Sequence, residues 1–432
     1  MAWSLPDPRR HPVDAGPPSS RPGRTRRAGR RSTRFGPTGH DGGVSTTPPP
    51  YHRTAVRPDW RELPVGLRDA VTARLGAPVV TARTATAGFT GGFAAVLETA
   101  AGTRVFVKAA ELARQRHLAD WYARELAVLA RLPAGLPVPR PRWALDAAGW
   151  YAVGLDAVAG RTPRLPWDPT ELAAVLTGYA EVAAALVDPP AALTALGLPR
   201  LAQLARDDIL WWGEVAAGRE PMPALPPAAR DRLPDLVALE SRLPGYAAAA
   251  PGLAHGDLRL DNVLLDPAGR AWFCDWNWLC HGPAWFDLAG LLITGYGDRV
   301  DLDAVFAAHP AAADAPPDAL DVTLAALCGY YLTAAGPPPA AASPPVAASP
   351  PADAPPPIGG PLPAGGLSTV AGSSVADCLT AAGCSPAAGG SPAAAQGAGG
   401  PGAAGPSALL GVHRRFSGEQ ALRWLAARQG WW

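Results

Sequence analysis

Lysine is the scarcest charged residue in this 432-residue chain: Lys108 is the only one among 38 Lys and Arg. Where every other cationic position is Arg, a Lys that remains points to a site needing a compact ammonium on a flexible stem in place of a planar fork. Cysteine is scarce too. The five cysteines form no CxxC pair and have no His-x-x-x-His nearby, which favours free thiols in a reducing compartment over disulfides or a zinc site. No run of 18 apolar residues lacks turn formers, and residues 1–50 contain no apolar core of a leader peptide, which argues against a membrane span or a secretory signal. The expected location is the cytoplasm. Nor is there a charge bias: 38 basic against 37 acidic side chains leave a net charge of +1, so nothing global draws the chain to nucleic acid. No particular oligomeric state is indicated.

Proline and glycine, by contrast, are plentiful, at 51 and 47, and they are unevenly spread. Residues 1–50 hold nine Arg and three Asp among many Pro, Gly and Ser, and the expectation is a disordered basic tail over 1–53. Between residues 336 and 407, 58 of 72 residues are Ala, Pro, Gly or Ser, with no aromatic, Lys or Arg. Such a segment buries too little apolar area to offset its ordering entropy and reads as a disordered insertion. A helical pattern returns afterwards in Phe416, Ala421, Leu422 and Leu425, so 408–432 is expected to pack back on the domain before the insertion.

What remains divides in two. In residues 54–160, runs from Val79 to Ala87, Phe93 to Thr99 and Arg104 to Ala109 predict a three-strand meander, with Lys108 at the end of the third strand. A helix is expected over 112–132 and a further hairpin from Trp143 to Leu145 and Trp150 to Asp156. From Asp168-Pro169, a good N-cap and first-turn pair, the chain turns helical as far as about residue 246, within a second lobe spanning 161–335. The expected fold class is therefore α+β, with a small β-rich lobe containing one helix and a larger helical lobe. Charge divides the same way: residues 54–167 carry 15 basic and 9 acidic side chains, residues 168–333 carry 9 and 22. An anion suits the first lobe and a cation the second.

The stretch that carries chemistry runs from His255-Gly-Asp257 through Asn262 to Asp275-Trp276. Asp257 and Asn262 stand five apart in a segment with neither helical nor strand periodicity, which predicts an ordered loop. Val263 to Leu265 and Ala271 to Cys274 read as two short strands closed by Asp266-Pro-Ala-Gly269. That hairpin brings Asp275 back beside Asn262, and carboxylate and amide oxygens held at strand ends suit Mg²⁺, which prefers hard oxygen ligands and keeps waters and phosphates as the others.

This HxDxxxxN segment, followed by a strand and Asp, resembles the catalytic and metal-binding loops of the protein-kinase-like fold. Its HGDLxxxN…DW form, with Gly282-Pro-Ala-Trp-Phe-Asp287-Leu-Ala after it, resembles the aminoglycoside phosphotransferase and choline kinase group. The resemblance covers about residues 80–335 plus the last helix. It implies a bilobal kinase-like fold and ATP-dependent transfer of the γ-phosphoryl group to a hydroxyl of a small molecule. By the same resemblance Asp257 is the catalytic base, Asn262 and Asp275 hold Mg²⁺ between the phosphates of ATP, and Lys108 contacts the α and β phosphates. Glu125 is then the partner of Lys108, with Glu111 as the alternative. His255 braces the loop backbone, and Asp287 anchors the loop.

The pattern departs from the family at the presumed phosphate loop. Ala87-Gly88-Phe89-Thr90-Gly91-Gly92 does not match GxGxxG, although its amides and the side chain of Thr90 can cover phosphates, which makes Gly88, Thr90 and Gly91 nucleotide-binding candidates. The small-molecule acceptor is left open between an amino-bearing, aminoglycoside-like compound and a metabolite such as choline, homoserine or a sugar. A non-catalytic nucleotide-binding protein is the remaining alternative. Asp207, Asp208, Glu214, Asp298, Asp301 and Asp303 are candidate contacts for an amino group, and Trp211, Trp212, Trp278 and Trp285 for a sugar or quaternary amine. No membrane and no specific nucleic-acid partner is expected.

Overall fold

The structure, a computed structural model, describes residues 47–336 and 408–432. Its first lobe is built on a five-stranded antiparallel sheet of β1 (Val79–Thr84), β2 (Phe93–Thr99), β3 (Arg104–Glu111), β4 (Pro141–Ala147) and β5 (Trp150–Asp156), in the order β1-β2-β3-β5-β4. Alternation in β3 sorts its side chains by face. Val105, Val107 and Ala109 are buried with Leu67, Val71, Phe93 and Trp143 in one core, whereas Phe106 and Lys108 look into the cleft. Lys108 stands opposite Ala94 on β2 and Val153 on β5, so both neighbouring strands support it.

Two helices cover this sheet where the sequence reading expected one. Helix α1 (Val65–Leu75) buries only Leu67 and Val71, too faint an apolar stripe to read from periodicity. Helix α2 (Arg116–Leu129) falls within the expected 112–132 and buries Leu118, Tyr122, Glu125 and Leu129. Strand β1 stops at Thr84, three residues short of the expected Ala87. Beyond it the carbonyls of Ala85 and Ala87 accept from the Arg57 guanidinium and that of Thr86 from the backbone of Thr54 and Ala55, so they are lost to the ladder.

The second lobe is helical. Asp168 caps α3 (Pro169–Val187), accepting from the N–H groups of Thr170 and Glu171. By length and composition α3 is also the one described helix able to cross a membrane. It is instead packed in the core, with Tyr179 donating to the Ala284 carbonyl and Gly178 against Phe273. Short helices follow between residues 191 and 249, and the small strands β6 (Leu253–Ala254) and β9 (Cys280–His281) pair around the hairpin of β7 (Val263–Leu265) and β8 (Ala271–Phe273). Helix Ala319–Thr333 is buried along most of its length.

The last helix, Ala408–Gln429, packs along Ala319–Thr333. Gly418 admits Leu332, the rings of Trp424 and Tyr296 stack at 6.0 Å, and Arg428 binds Asp321. Most of the expected tail and nearly all of the expected insertion lie outside the described residues. Residues 47–53 are a correction to the tail: Tyr51–Arg53 forms a helical turn, and Tyr51 is buried and hydrogen-bonded to His413 of the last helix. A phenol at 4 % exposure has too much apolar surface to leave in water. Of the cysteines, Cys274, Cys280 and Cys328 are described, and all three are free thiols.

Candidate active site

Between the two lobes lies a cleft of about 430 Å³, a size that suits a small molecule or cofactor. Its floor comes from the loop after β6. Gly256 there has φ +80°, and a Cβ on it would stand 2.4 Å from the Trp278 carbonyl, so only glycine fits. Asp287, buried in the helix Ala284–Leu292, accepts from the N–H groups of His255 at 2.5 Å and Gly256 at 2.9 Å and, at 3.2 Å, shares the Tyr179 hydroxyl proton with the Ala284 carbonyl. The carboxylate therefore pins the loop from outside the cleft centre. Burial pushes the Asp287 carboxyl up to about 7 against those donors.

His255 braces the other side. Its Nδ1 accepts from the Asp257 N–H, which leaves Nε2 as the protonated nitrogen donating to the Cys274 carbonyl at 3.0 Å. Burial lowers its pKa to about 4, so the ring is neutral and its two nitrogens fasten both ends of the segment that carries Asp257 and Asp275.

Asp257, at the centre, receives Arg259 Nη1 at 2.5 Å and Asn262 Nδ2 at 3.3 Å. Burial pushes its carboxyl up to about 7. Arg259 opposes this, while Asp261 and Asp275 add to it. Asn262 also donates to the Asp257 carbonyl at 2.8 Å, so its amide nitrogen is committed and its oxygen is the group it has to offer. The Asn262 carbonyl accepts from Cys274, closing the β7–β8 hairpin beside it. Asp275 follows in the left-handed region, φ +67°, a conformation that a short polar side chain tolerates.

The ion triad joins the lobes. Lys108 Nζ lies 2.7 Å from Glu125 Oε2 and 3.0 Å from Asp275 Oδ1, across 17 and 167 residues of sequence. Burial works against the ammonium, but Asp275 and Glu125 more than offset it, holding the lysine pKa above its ordinary value. On Asp275 burial acts upward, and Lys108 reverses it by charge and hydrogen bond, leaving the carboxyl below its ordinary value. Glu125 is thus the lysine's partner. Glu111, the alternative, stands 3.8 Å from Arg114.

The roof is the loop between β1 and β2. Gly88 and Thr90 line the cleft, whereas Gly91 is exposed, off the cleft wall, with its carbonyl turned to Gln115. Phe89 between them packs on the His413 ring at 5.0 Å and under the Arg259 guanidinium at 5.6 Å. The inter-lobe segment contributes Leu155, Asp156, Val158 and Gly160.

Among the acidic residues considered for an acceptor, Asp208 lines the cleft. Of the rest, Asp207 binds Gln203, Glu214 binds Arg219, Asp298 accepts from Trp167, Asp301 caps a helix and Asp303 binds Arg428. Trp278 is on the cleft wall with Trp121, whose ring meets it edge-on at 6.0 Å. Trp212 and Trp285 are buried in the helical core. Sequence reasoning did not single out Arg57, Tyr122, Tyr330, Tyr331, His413 or Arg414 as site residues, though all line the cleft. None belongs to a local motif; only the fold brings them together. Among the described residues no cluster of three or more His, Cys, Asp or Glu is placed to hold a metal, so a cation here would rely on Asn262, Asp275 and oxygens of its substrate.

Residues 86–320 match the family model APH, described as Phosphotransferase enzyme family. No curated protein matches the chain. Solved structures similar to it include a macrolide 2'-phosphotransferase from Brachybacterium faecium, 20 % identical with TM-score 0.45, covering 62 % of this chain and 90 % of that one. APH(2")-IIia with GDP and kanamycin is 17 % identical with TM-score 0.46, covering 61 % and 89 %. A putative fructosamine-3-kinase from Haemophilus somnus 129PT is 15 % identical with TM-score 0.41, covering 62 % and 88 %.

Proposed function

The chain belongs to the phosphotransferase enzyme family, and from that premise we propose that it moves the γ-phosphoryl group of ATP to a hydroxyl of an amino-bearing small molecule in the cytoplasm. The observation that carries the reading is the Lys108–Glu125–Asp275 triad. In it the sequence's single lysine lies 3.0 Å from the carboxylate of Asp275, which follows the HGD loop. Lys108 would hold the nonbridging phosphate oxygens as a point charge. Asn262 and Asp275 supply the hard oxygens that suit Mg²⁺, whose contribution when bound is to neutralise phosphate charge. Asp257 would take the acceptor's hydroxyl proton as that oxygen bonds to the γ-phosphorus and the bond from phosphorus to the bridging oxygen of ADP breaks. A carboxyl with a pKa pushed to about 7 is suited to that transfer near neutral pH.

The acceptor would enter over the helical floor, where Asp208, Trp278 and Tyr330 line the cleft. A cleft lined by a carboxylate and aromatic side chains favours a cationic amine. The test is ADP release from Mg·ATP against aminoglycosides, macrolides, choline, homoserine and simple sugars, with Asp257→Asn as the blank. Stimulated release by an amino-bearing compound is the expected result. Stimulation only by neutral sugars would sink the amine assignment, and no release with any acceptor, together with no ATP binding, would sink the kinase reading.

A further inference from the structure

We infer that Arg57 is a second phosphate-binding cation, which grips the nucleotide's phosphates from within the Ala85–Thr90 loop; the inference rests on the phosphotransferase reading above. Its guanidinium lies inside the curve of that loop. Nη1 donates to the Ala85 carbonyl at 2.5 Å and the Ala87 carbonyl at 2.7 Å, and Nη2 reaches Thr90 Oγ1 at 3.4 Å. A Cβ on Gly88, whose φ is +85°, would stand 3.1 Å from Nη2. Arg57 lines the cleft with Gly88, Thr90, Lys108 and Asp275.

Its charge sets it apart from the neighbouring cations. Lys108 is bonded to two carboxylates and Arg259 to Asp257 and Asp261. The hydrogen bonds of Arg57 go to neutral oxygens, and its Nε is buried with no partner. A half-buried cation with no carboxylate in contact gains most when an anion arrives. Burial accordingly lowers its pKa, with Tyr122, Asp275 and Asp261 acting the other way. Arginine nevertheless stays charged, and with Nη1 committed to the two carbonyls the second N–H of Nη2 is left for a phosphate oxygen.

The position is prepared in advance of any ligand. Thr54 Oγ1 donates to the Gly88 carbonyl, the N–H groups of Thr54 and Ala55 to Thr86, and Thr86 Oγ1 to the His52 carbonyl. This strap, residues 51–57, precedes the family-matched segment 86–320 and serves a loop that lacks GxGxxG. Arg57 thus supplies from outside the loop what its sequence does not.

Calorimetric titration of ADP and GDP, and of adenosine and guanosine, each with Mg²⁺, into the full-length protein tests this in wild type, Arg57→Gln and Arg57→Lys, with the melting temperature of each recorded. Hydrogen bonds to charged groups predict a loss of about ten- to a hundredfold in diphosphate affinity for Arg57→Gln. Nucleoside affinity should not change, and Arg57→Lys, which keeps the charge but gives up the fork on the carbonyls, should hold diphosphate within about threefold to tenfold of wild type. Equal losses in both variants, or losses that extend to the nucleosides, would reduce Arg57 to a loop brace and overturn the proposal. So would wild-type diphosphate affinity in Arg57→Gln while the wild type binds. If Arg57→Gln does not fold, Arg57→Lys decides: a loss of diphosphate affinity beyond about tenfold overturns the charge argument. Failure of wild type to bind either diphosphate overturns the phosphotransferase reading itself.

Discussion

The floor and the roof of the cleft are held in opposite ways. Floor residues Asp257, Asn262 and Asp275 sit within 19 positions of one another, and the groups that orient them, His255 and Asp287, flank the same stretch. The roof, residues 85–92, is held by Thr54 and Arg57 before it and by His413 more than 300 residues after it. A site whose supports are local can be carried by a sequence motif. One whose supports are distant depends on two remote segments meeting, here through the Tyr51–His413 hydrogen bond of 2.9 Å.

The largest effect should come from breaking the floor's chemistry while leaving its frame. Asp257→Asn keeps shape and most hydrogen bonds, so nucleotide binding should persist while kcat falls about 10²–10⁴-fold, the range for loss of a general base. Turnover at the wild-type rate would remove Asp257 from its assigned role. Next, matched glycine substitutions set the two regions against each other. Gly256→Ala meets the Trp278 backbone carbonyl at 2.4 Å, whereas Gly88→Ala meets the end of the Arg57 side chain at 3.1 Å. Both demand a left-handed backbone, which for alanine is unfavourable by roughly 1–3 kcal/mol. Denaturant midpoints should show the floor variant losing clearly more stability, and equal losses would contradict the contrast.

The pH profile sharpens the comparison at intermediate size. With the Asp257 carboxyl raised to about 7 by burial, kcat/KM should fall about tenfold per pH unit below 7 and level off above it, since only the carboxylate accepts a proton. A flat profile from pH 5 to 8 would be incompatible with this. Linkage gives the matching sign for stability. A carboxyl raised from 3.8 contributes in full below about pH 3.8, and that contribution is lost as the pH rises through about 7. Asp257→Asn should therefore flatten the fall in stability between pH 4 and 8. Smallest is Tyr51→Phe, which deletes one buried hydrogen bond between the strap and the last helix. It should lower stability by about 1 kcal/mol, read as a lower melting temperature, and leave the floor's pH profile unchanged.

How much was legible follows the same division. The β7–β8 hairpin, the sheet carrying Lys108, the Glu125 helix and the cap at Asp168 all express short-range rules: alternation, a Pro-Ala-Gly turn, helical spacing, an Asp-Pro start. Helix α1 escaped because its apolar stripe is two residues wide, and the tail boundary at 53 was misplaced because a lone Tyr51 in polar surroundings has no periodicity. Asp298, Asp301 and Asp303 looked like acceptor contacts by charge alone, and proved to be committed to Trp167, a helix cap and Arg428.

By itself, then, the sequence determined the β-rich and helical parts, the His255–Asp275 segment and the unusual lysine, because backbone periodicity, turn chemistry and ligand spacing act over a few residues. Only the tertiary structure decided which carboxylate meets Lys108, which way the Asn262 amide faces, and that Arg57 and His413 frame the roof. Those choices depend on burial and charge neutralisation between segments up to 362 residues apart, where no local pattern reaches.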